Sequence, residues 1–306
     1  MPYVSSDMST AMLTNIKALF LKFLGEKAAM DKDWQQIATI MPSDSDKEEY
    51  DWLGATPPMS EWKDKRQLRG LRPYSYTLTN QDWEATLEIS RNAFNDNKLG
   101  HIPKRVEALA ASYYKRVIEE IFSVLDYGGT GLAYDETAFF ADTRTIGDSG
   151  NIDNLLDGAY SGSTTEARAG LLAAVAAMMN FKDDWGKPLG LKPDTIVCAP
   201  AIYMLLKDAF LVPGVAGTIR PEAEFVQRII TSPWIDADTL DWYVLCTSET
   251  VRPIIFQDRQ KPEVTSLDKP DSPDVFMRKM LLYGVDARFT VGYGDPRTAI
   301  KITDNS

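Results

Sequence analysis

Between Gly100 and the pair Gly128-Gly129 the chain carries Ile102, Val106, Leu109, Tyr113, Val117, Ile121 and Val124 along one stripe, with Pro103 near its start. Apolar residues three and four positions apart share one face of an α-helix, proline is tolerated in the first turn, and glycine ends the run. The spacing predicts a helix of about 25 residues, a rod of roughly 37 Å at 1.5 Å per residue. A rod of that length with one apolar side is stable only when laid along a broad apolar surface, which the rest of the chain has to supply.

The 306 residues, 44% of them hydrophobic, contain enough apolar material for one sizeable core or two linked ones. The longest strongly apolar stretch, Ala169 to Met179, falls well short of the roughly 20 residues needed to cross a bilayer. The start, Met1 to Asp7, lacks a basic region, and Lys22 interrupts the apolar patch from Leu19 to Leu24, so no secretion signal is read. Since no acidic helical pro-region precedes it, the mature chain is expected to keep this N-terminus. Cys198 and Cys246 each lie in an apolar run and are expected to be buried free thiols of a reducing compartment. Lys and Arg total 33 against 44 Asp and Glu, a formal charge of −11, which argues against a surface that grips phosphate backbones. It is compatible with a container that must not adhere to a polyanion inside it.

Along the chain, Met12, Ile16, Leu19, Phe20 and Phe23 predict an amphipathic helix over 9–24, with Ser9 or Thr10 as its cap. The acidic run 42–49 lacks the Gly and terminal Glu of a calcium loop and reads as a solvated turn. From Trp52 to Arg72, isolated apolar residues stand among Gly, Pro and basic side chains, as in an exposed excursion. Tyr74, Tyr76 and Leu78, then Trp83, Ala85, Leu87 and Ile89, alternate with polar residues; the two runs are expected to pair as an antiparallel hairpin turning at Asn80-Gln81-Asp82. A polar, Gly-rich stretch, 142–162, contains a candidate domain junction at 153–162. A helix over 165–179 follows, with Leu171, Leu172, Val175, Met178 and Met179 available to a core. Beyond it come strands at 195–199, 226–231, 242–247 and 252–256, and a proline-opened helix over 200–210. The run 275–292 reads as one extended strand bent at Gly284. Helices and strands intermingle without an internal repeat, which makes the fold class α+β.

Catalytic signatures are sparse. His101 is the single histidine, so a Ser-His-Asp or Cys-His site would have to use it, and it reads as a helix-start or surface histidine in preference to such a site. There is no Gly-x-Ser-x-Gly elbow and no Walker loop, and Gly129-Thr130-Gly131 lacks the third glycine of a dinucleotide fingerprint. Two separated cysteines and one histidine exclude a Cys/His zinc site, leaving only oxygen-ligand metals. Asp183-Asp184 and Glu119-Glu120 read as solvated faces, and the Trp and Tyr residues as dispersed core positions. No catalytic, cofactor or metal residue is assigned. The competing enzymatic reading is a monomeric hydrolase using His101 with an acidic partner.

Several local texts, in order, carry a resemblance: Leu87 to Gly100, a strand running into an Asn/Asp-rich turn; Phe139-Phe140-Ala141-Asp142-Thr143; the Gly/Asn-rich Gly147 to Leu155; Lys182 to Leu189; Lys192 to Pro200; Phe256 to Glu263; and Tyr283 to Phe289. Together they resemble the Mu-like phage major head protein family, whose fold is that of the Hong Kong 97 phage capsid. The resemblance implies an N-terminal arm (1–50), an extended hairpin loop (51–90), a peripheral domain holding the long spine helix (91–162), an axial domain (163–245) and a return to the peripheral domain (246–306). It also implies a major capsid protein that assembles with itself into hexamers and pentamers of an icosahedral shell, made in the host bacterial cytoplasm and enclosing DNA without sequence-specific binding. Scaffold or protease, portal and decoration proteins are the implied partners, and no membrane is involved. An encapsulin-like nanocompartment shell is the alternative on the same fold. An excursion with so little core of its own expects a neighbour to lie on. Trp52, Trp62, Lys63, Lys65, Arg66, Arg69, Tyr74 and Tyr76 are therefore the candidate subunit-contact residues.

Overall fold

The computed structural model describes residues 6–30, 32–51, 53, 76–92, 102–158, 162–211, 221–236, 239–269 and 271–304. The long helix, Ile102–Asp126, runs from the expected start to the expected stop. Its buried stripe of Val106, Leu109, Ala110, Val117, Ile121, Phe122 and Leu125 lies on a four-stranded sheet. In spatial order that sheet is β1 (Ala38–Pro42), β9 (Ile254–Leu267), β10 (Met280–Tyr293) and β4 (Gln81–Ser90). Leu281, Tyr283, Val285, Ala287 and Phe289, every second residue of β10, face the helix. The N-terminal helix, Ser6–Met30, packs beside the long one and adds Ile16 and Phe20 to the same cluster. It outruns the expected 9–24 by a polar turn in which Lys27 approaches Glu107 at 3.7 Å.

A second sheet has five strands in the order β5 (Leu155–Gly158), β11 (Ala299–Asp304), β8 (Trp242–Leu245), β6 (Thr195–Cys198) and β7 (Arg228–Thr231). All four residues of β6 and of β8 are buried, because both faces of the sheet are covered. Ile196, Cys198, Trp242 and Val244 meet the helices Thr164–Asn180 and Pro200–Phe210. Val197, Tyr243 and Leu245 point the other way and join Phe139, Phe140 and the long helix in a shared cluster. Ser163 caps the first of these helices, its hydroxyl accepting from the Glu166 amide at 3.2 Å. Leu171, Val175 and Met178 are buried as expected, whereas Leu172 and Met179 face solvent.

Three expectations are corrected. The runs around Leu78 and Trp83 do not pair with each other: β3 (Thr77–Thr79) pairs antiparallel with β2 (Lys47–Glu49), and β4 pairs antiparallel with β10. Only Asn80 separates β3 from β4, too little for a hairpin turn, and Asn80 instead turns a corner. Its amide donates to Ser43 Oγ at 2.9 Å and to the Ser45 carbonyl at 2.8 Å. Next, the run 275–292 is not one strand. Pro273–Arg278 forms a short helix with proline in its first turn, Lys279 closes it in the left-handed region at φ 57°, and β10 begins at Met280. Finally, the ladder between β10 and β9 runs unbroken through Gly284, and its register shifts twice between Asp286 and Phe289, where β9 carries the extra residues.

Candidate subunit-contact surfaces

The described residues that flank the basic run 54–75 form a short two-stranded stem. Lys47, Glu48 and Glu49 oppose Thr79, Leu78 and Thr77, and the Tyr50 amide extends the ladder by donating to the Tyr76 carbonyl at 2.7 Å. A buried polar relay fixes this stem to the four-stranded sheet. The Tyr50 hydroxyl donates to Gln257 Oε1 at 2.7 Å, and Gln257 Nε2 donates to Asn80 Oδ1 at 2.8 Å. Gln257 is fully buried on β9, so each of these bonds forms away from water, where an unmatched polar group is expensive. Burial, with Glu48 nearby, pushes the Tyr50 phenol up to about 12. Leu78 and Tyr76 come down over Gly292, where a side chain would collide: a Cβ there would lie 2.5 Å from Leu78 Cδ2 and 2.9 Å from the Tyr76 hydroxyl oxygen.

Of the eight contact candidates, Tyr76 is the one among the described residues, and it packs within the subunit. Its hydroxyl accepts from the Tyr293 amide at 2.8 Å, and burial holds its pKa above the ordinary value. Trp52, Trp62, Lys63, Lys65, Arg66, Arg69 and Tyr74 lie outside the described residues, as does His101.

Within the run 42–49, residues 43–46 turn between β1 and β2 around the Glu48 carboxylate, which accepts from Ser43 Oγ and from the amides of Asp44 and Ser45 at 2.8–3.1 Å, while Lys47–Glu49 form β2. Those bonds lower its pKa. The carboxylate pairs of the sequence have structural duties. Glu119 and Glu120 both meet Arg116. Asp183 accepts from the amides of Trp185 and Lys187 at 2.9 and 2.8 Å, closing a turn. Asp184 meets Arg297 at 2.8 Å in a buried pair. Cys198 and Cys246 are free and buried.

The side of the four-stranded sheet opposite the long helix carries a feature that periodicity alone does not reveal. Asp286 stands directly across from Glu84 on β4 and from Glu263 on β9, so three exposed carboxylates form a row in register over three adjacent strands. Like charges placed opposite each other weaken strand pairing. Asp82, one step along β4, is matched by Arg288 at 2.5 Å, and Asp46 meets the same guanidinium at 3.0 Å. Neither Glu84, Glu263 nor Asp286 has an ion pair among the described residues. The far end of the β9–β10 hairpin holds the most exposed large apolar side chains among the described residues, Phe276 at 78% and Met277 at 77%.

A four-stranded sheet crossed by a long helix is joined through the turn Pro296–Thr298 to a second sheet flanked by helices, and a short two-stranded stem stands on the first. The profile of the Mu-like prophage major head subunit gpT matches residues 11–167 and 222–305. The chain belongs to this family of Mu-like major head subunits. It is 24% identical over 283 residues to the Mu-like prophage FluMu major head subunit of Haemophilus influenzae, covering 91% of this chain and 70% of that one. To the major capsid protein of Escherichia phage Mu it is 24% identical over 295 residues, covering 94% and 73%. A subunit in the solved procapsid of bacteriophage JBD30 superposes with a TM-score of 0.56 at 23% identity, covering 97% of this chain and 76% of that one, which shows the shared capsid fold of the Hong Kong 97 type. This Mu-like head subunit is accordingly a structural protein of the phage shell and not an enzyme.

Proposed function

We propose that the excursion between Leu53 and Tyr76 is the element by which this head subunit grips its neighbours, and that its copies form hexamers and pentamers of a closed shell around DNA. The observation that carries the reading is the stem. A two-stranded ribbon is marginal in water on its own, yet this one is held by a buried Tyr50–Gln257–Asn80 relay, a rigid base for a segment with almost no core of its own. Trp62 and the neighbouring Arg residues are the types that dominate interface energetics, where losing a central side chain costs about 2 kcal/mol or more. The arm, hairpin-loop, peripheral and axial divisions at 1–50, 51–90, 91–162, 163–245 and 246–306 belong to this proposal. So do assembly in the bacterial cytoplasm and use of scaffold or protease, portal and decoration proteins.

Replacing Thr56 to Arg69 by a short Gly/Ser link tests the reading. The isolated subunit should melt within the range of a surface change, about 1 kcal/mol, while shells seen by electron microscopy disappear. An unfolded subunit would place the segment in the core, and normal shells would remove it as an assembly element. Nuclease protection of particles made in infected cells tests the enclosed DNA, and fully digestible nucleic acid would refute that part.

A further inference from the structure

Where the long helix crosses the four-stranded sheet, the packing between them is interrupted. The helix buries Val106, Leu109 and Ala110 before Tyr113 and Val117, Ile121 and Leu125 after it, and the two groups belong to separate apolar clusters. On the helix side of the sheet, Ala85 of β4 stands between Trp83 and Leu87, and Ala287 of β10 between Val285 and Phe289. Small side chains among large ones leave a gap. It is a cleft of about 320 Å³, lined by both alanines, Val285, Trp83, Tyr113 and Phe289. That volume lies at the lower end of the roughly 300–1,000 Å³ range of small-molecule sites.

The aromatic lining is held in place by its own contacts. Trp83 and Phe289 stack with ring centroids 5.4 Å apart, and Tyr113 meets Phe289 edge-on at 5.9 Å. Trp83 Nε1 donates to the Phe289 carbonyl at 3.1 Å, so the indole has no polar demand left to meet. A pocket shaped before its ligand arrives spends little free energy on ordering itself. The charges around it are already matched. Arg116, whose guanidinium lies 4.1 Å from the Trp83 ring centroid, pairs with Glu119 at 3.3 Å and with Glu120. The Glu84 carboxylate accepts from Thr86 at 3.0 Å, and Ser112 Oγ donates to the Leu109 carbonyl at 2.7 Å. Burial, with Asp258 nearby, raises the Tyr113 pKa and keeps that phenol neutral. An ion entering the cleft would lose water without meeting an unmatched opposite charge, whereas an uncharged ring gains from burial against aromatic edges.

We propose that this cleft binds a small uncharged aromatic molecule, about one or two rings in size, that wedges the long helix against the sheet. The ligand bridges the two apolar clusters, and because it binds the folded chain alone it raises the melting temperature with concentration. The site is independent of what residues 54–75 do.

Indole is the probe, and the full-length subunit is followed by scanning calorimetry. Millimolar indole should raise the melting temperature of the wild type in a saturable way. Ala287→Leu, and separately Ala85→Leu, fills the gap and should lower affinity for indole at least about tenfold, as a misfitted methylene does in an apolar pocket. Ala287→Val, a smaller step, serves if either leucine overpacks and fails to fold, and it should weaken binding in the same direction. No saturable shift in the wild type would overturn the proposal, and so would equal shifts in wild type and filled variants, which would place the indole elsewhere. Assembled shells should bind indole as tightly as free subunits do. Binding lost on assembly would mean that a neighbour's side chain fills the cleft, and would overturn the small-molecule reading.

Discussion

Replacing Arg297 with methionine should be among the most damaging single changes in this subunit. Arg297 lies in the turn Pro296–Thr298, which carries the chain from the end of β10 in one sheet to the start of β11 in the other. Its side chain is 3% exposed. Nε and Nη2 donate to the Asp295 carboxylate at 2.8 and 2.7 Å, and Nη1 donates to Asp184 Oδ1 at 2.8 Å. Burial works against the charge, but Asp295, with Asp184 behind it, outweighs it and holds the guanidinium above its ordinary pKa. Methionine fills much of the space and removes the cation from two carboxylates, of which Asp184 is 2% exposed and Asp295 16%. Breaking a buried pair this way costs about 3–5 kcal/mol. Since Asp295 keeps some water, and keeps the Arg297 backbone amide that it accepts from, a loss of about 4 kcal/mol is expected. Urea unfolding of the unassembled subunit at pH 7 measures it. Adding Asp184→Asn and Asp295→Asn should recover most of the loss. A loss below about 1 kcal/mol would refute the reasoning.

Gln257→Leu takes the acceptor from the Tyr50 hydroxyl and the donor from Asn80, and should cost about 2 kcal/mol in thermal melting while making the excursion more susceptible to trypsin; unchanged cleavage would detach the relay from the stem. Gly294→Ala should lower expression of folded subunit, because a Cβ there would sit 2.0 Å from the Arg252 carbonyl oxygen and backbone cannot yield as a side chain does. Cys198, its thiol pushed up to about 12 by burial, and the equally buried Cys246 should resist a thiol reagent at pH 8 in the native subunit and react fully in urea; fast native labelling would contradict the burial.

The long helix was legible because its signals agree: one stripe, a proline near the start, two glycines at the end. The helices at 164–180 and 200–210 and the strands at 195 and 242 were legible for the same reason, each having uniform periodicity between turn residues. Strand partners were not. Alternation in Tyr76-Thr77-Leu78 and Trp83 to Ile89 states which side of a strand is wet, but not which strand lies beside it, and the corner at Asn80 depends on Ser43, Ser45 and Gln257, distant in sequence. The short helix at 273–278 was hidden because Val275, Phe276 and Met277 suit a buried strand, yet Phe276 and Met277 turn outward. Composition marked the basic excursion but not the acidic row on the sheet. Glu84, Glu263 and Asp286 come together only once the registers of β4, β10 and β9 are known.

The stem has a mechanical consequence. One leg of the excursion runs back through the turn at Ser43 into β1, and the other runs through Asn80 into β4, and these are the two opposite rims of a single four-stranded sheet. Tension from a neighbour is therefore shared between the rims, as a sling shares a load, with Gln257 tying the stem to the middle. The rims are unequal: β1 is held by five paired positions, β4 by ten. Under a rising pull the subunit should yield first at β1, releasing Ala38–Pro42 from β9 while the other leg, the long helix and the core beneath it stay in place.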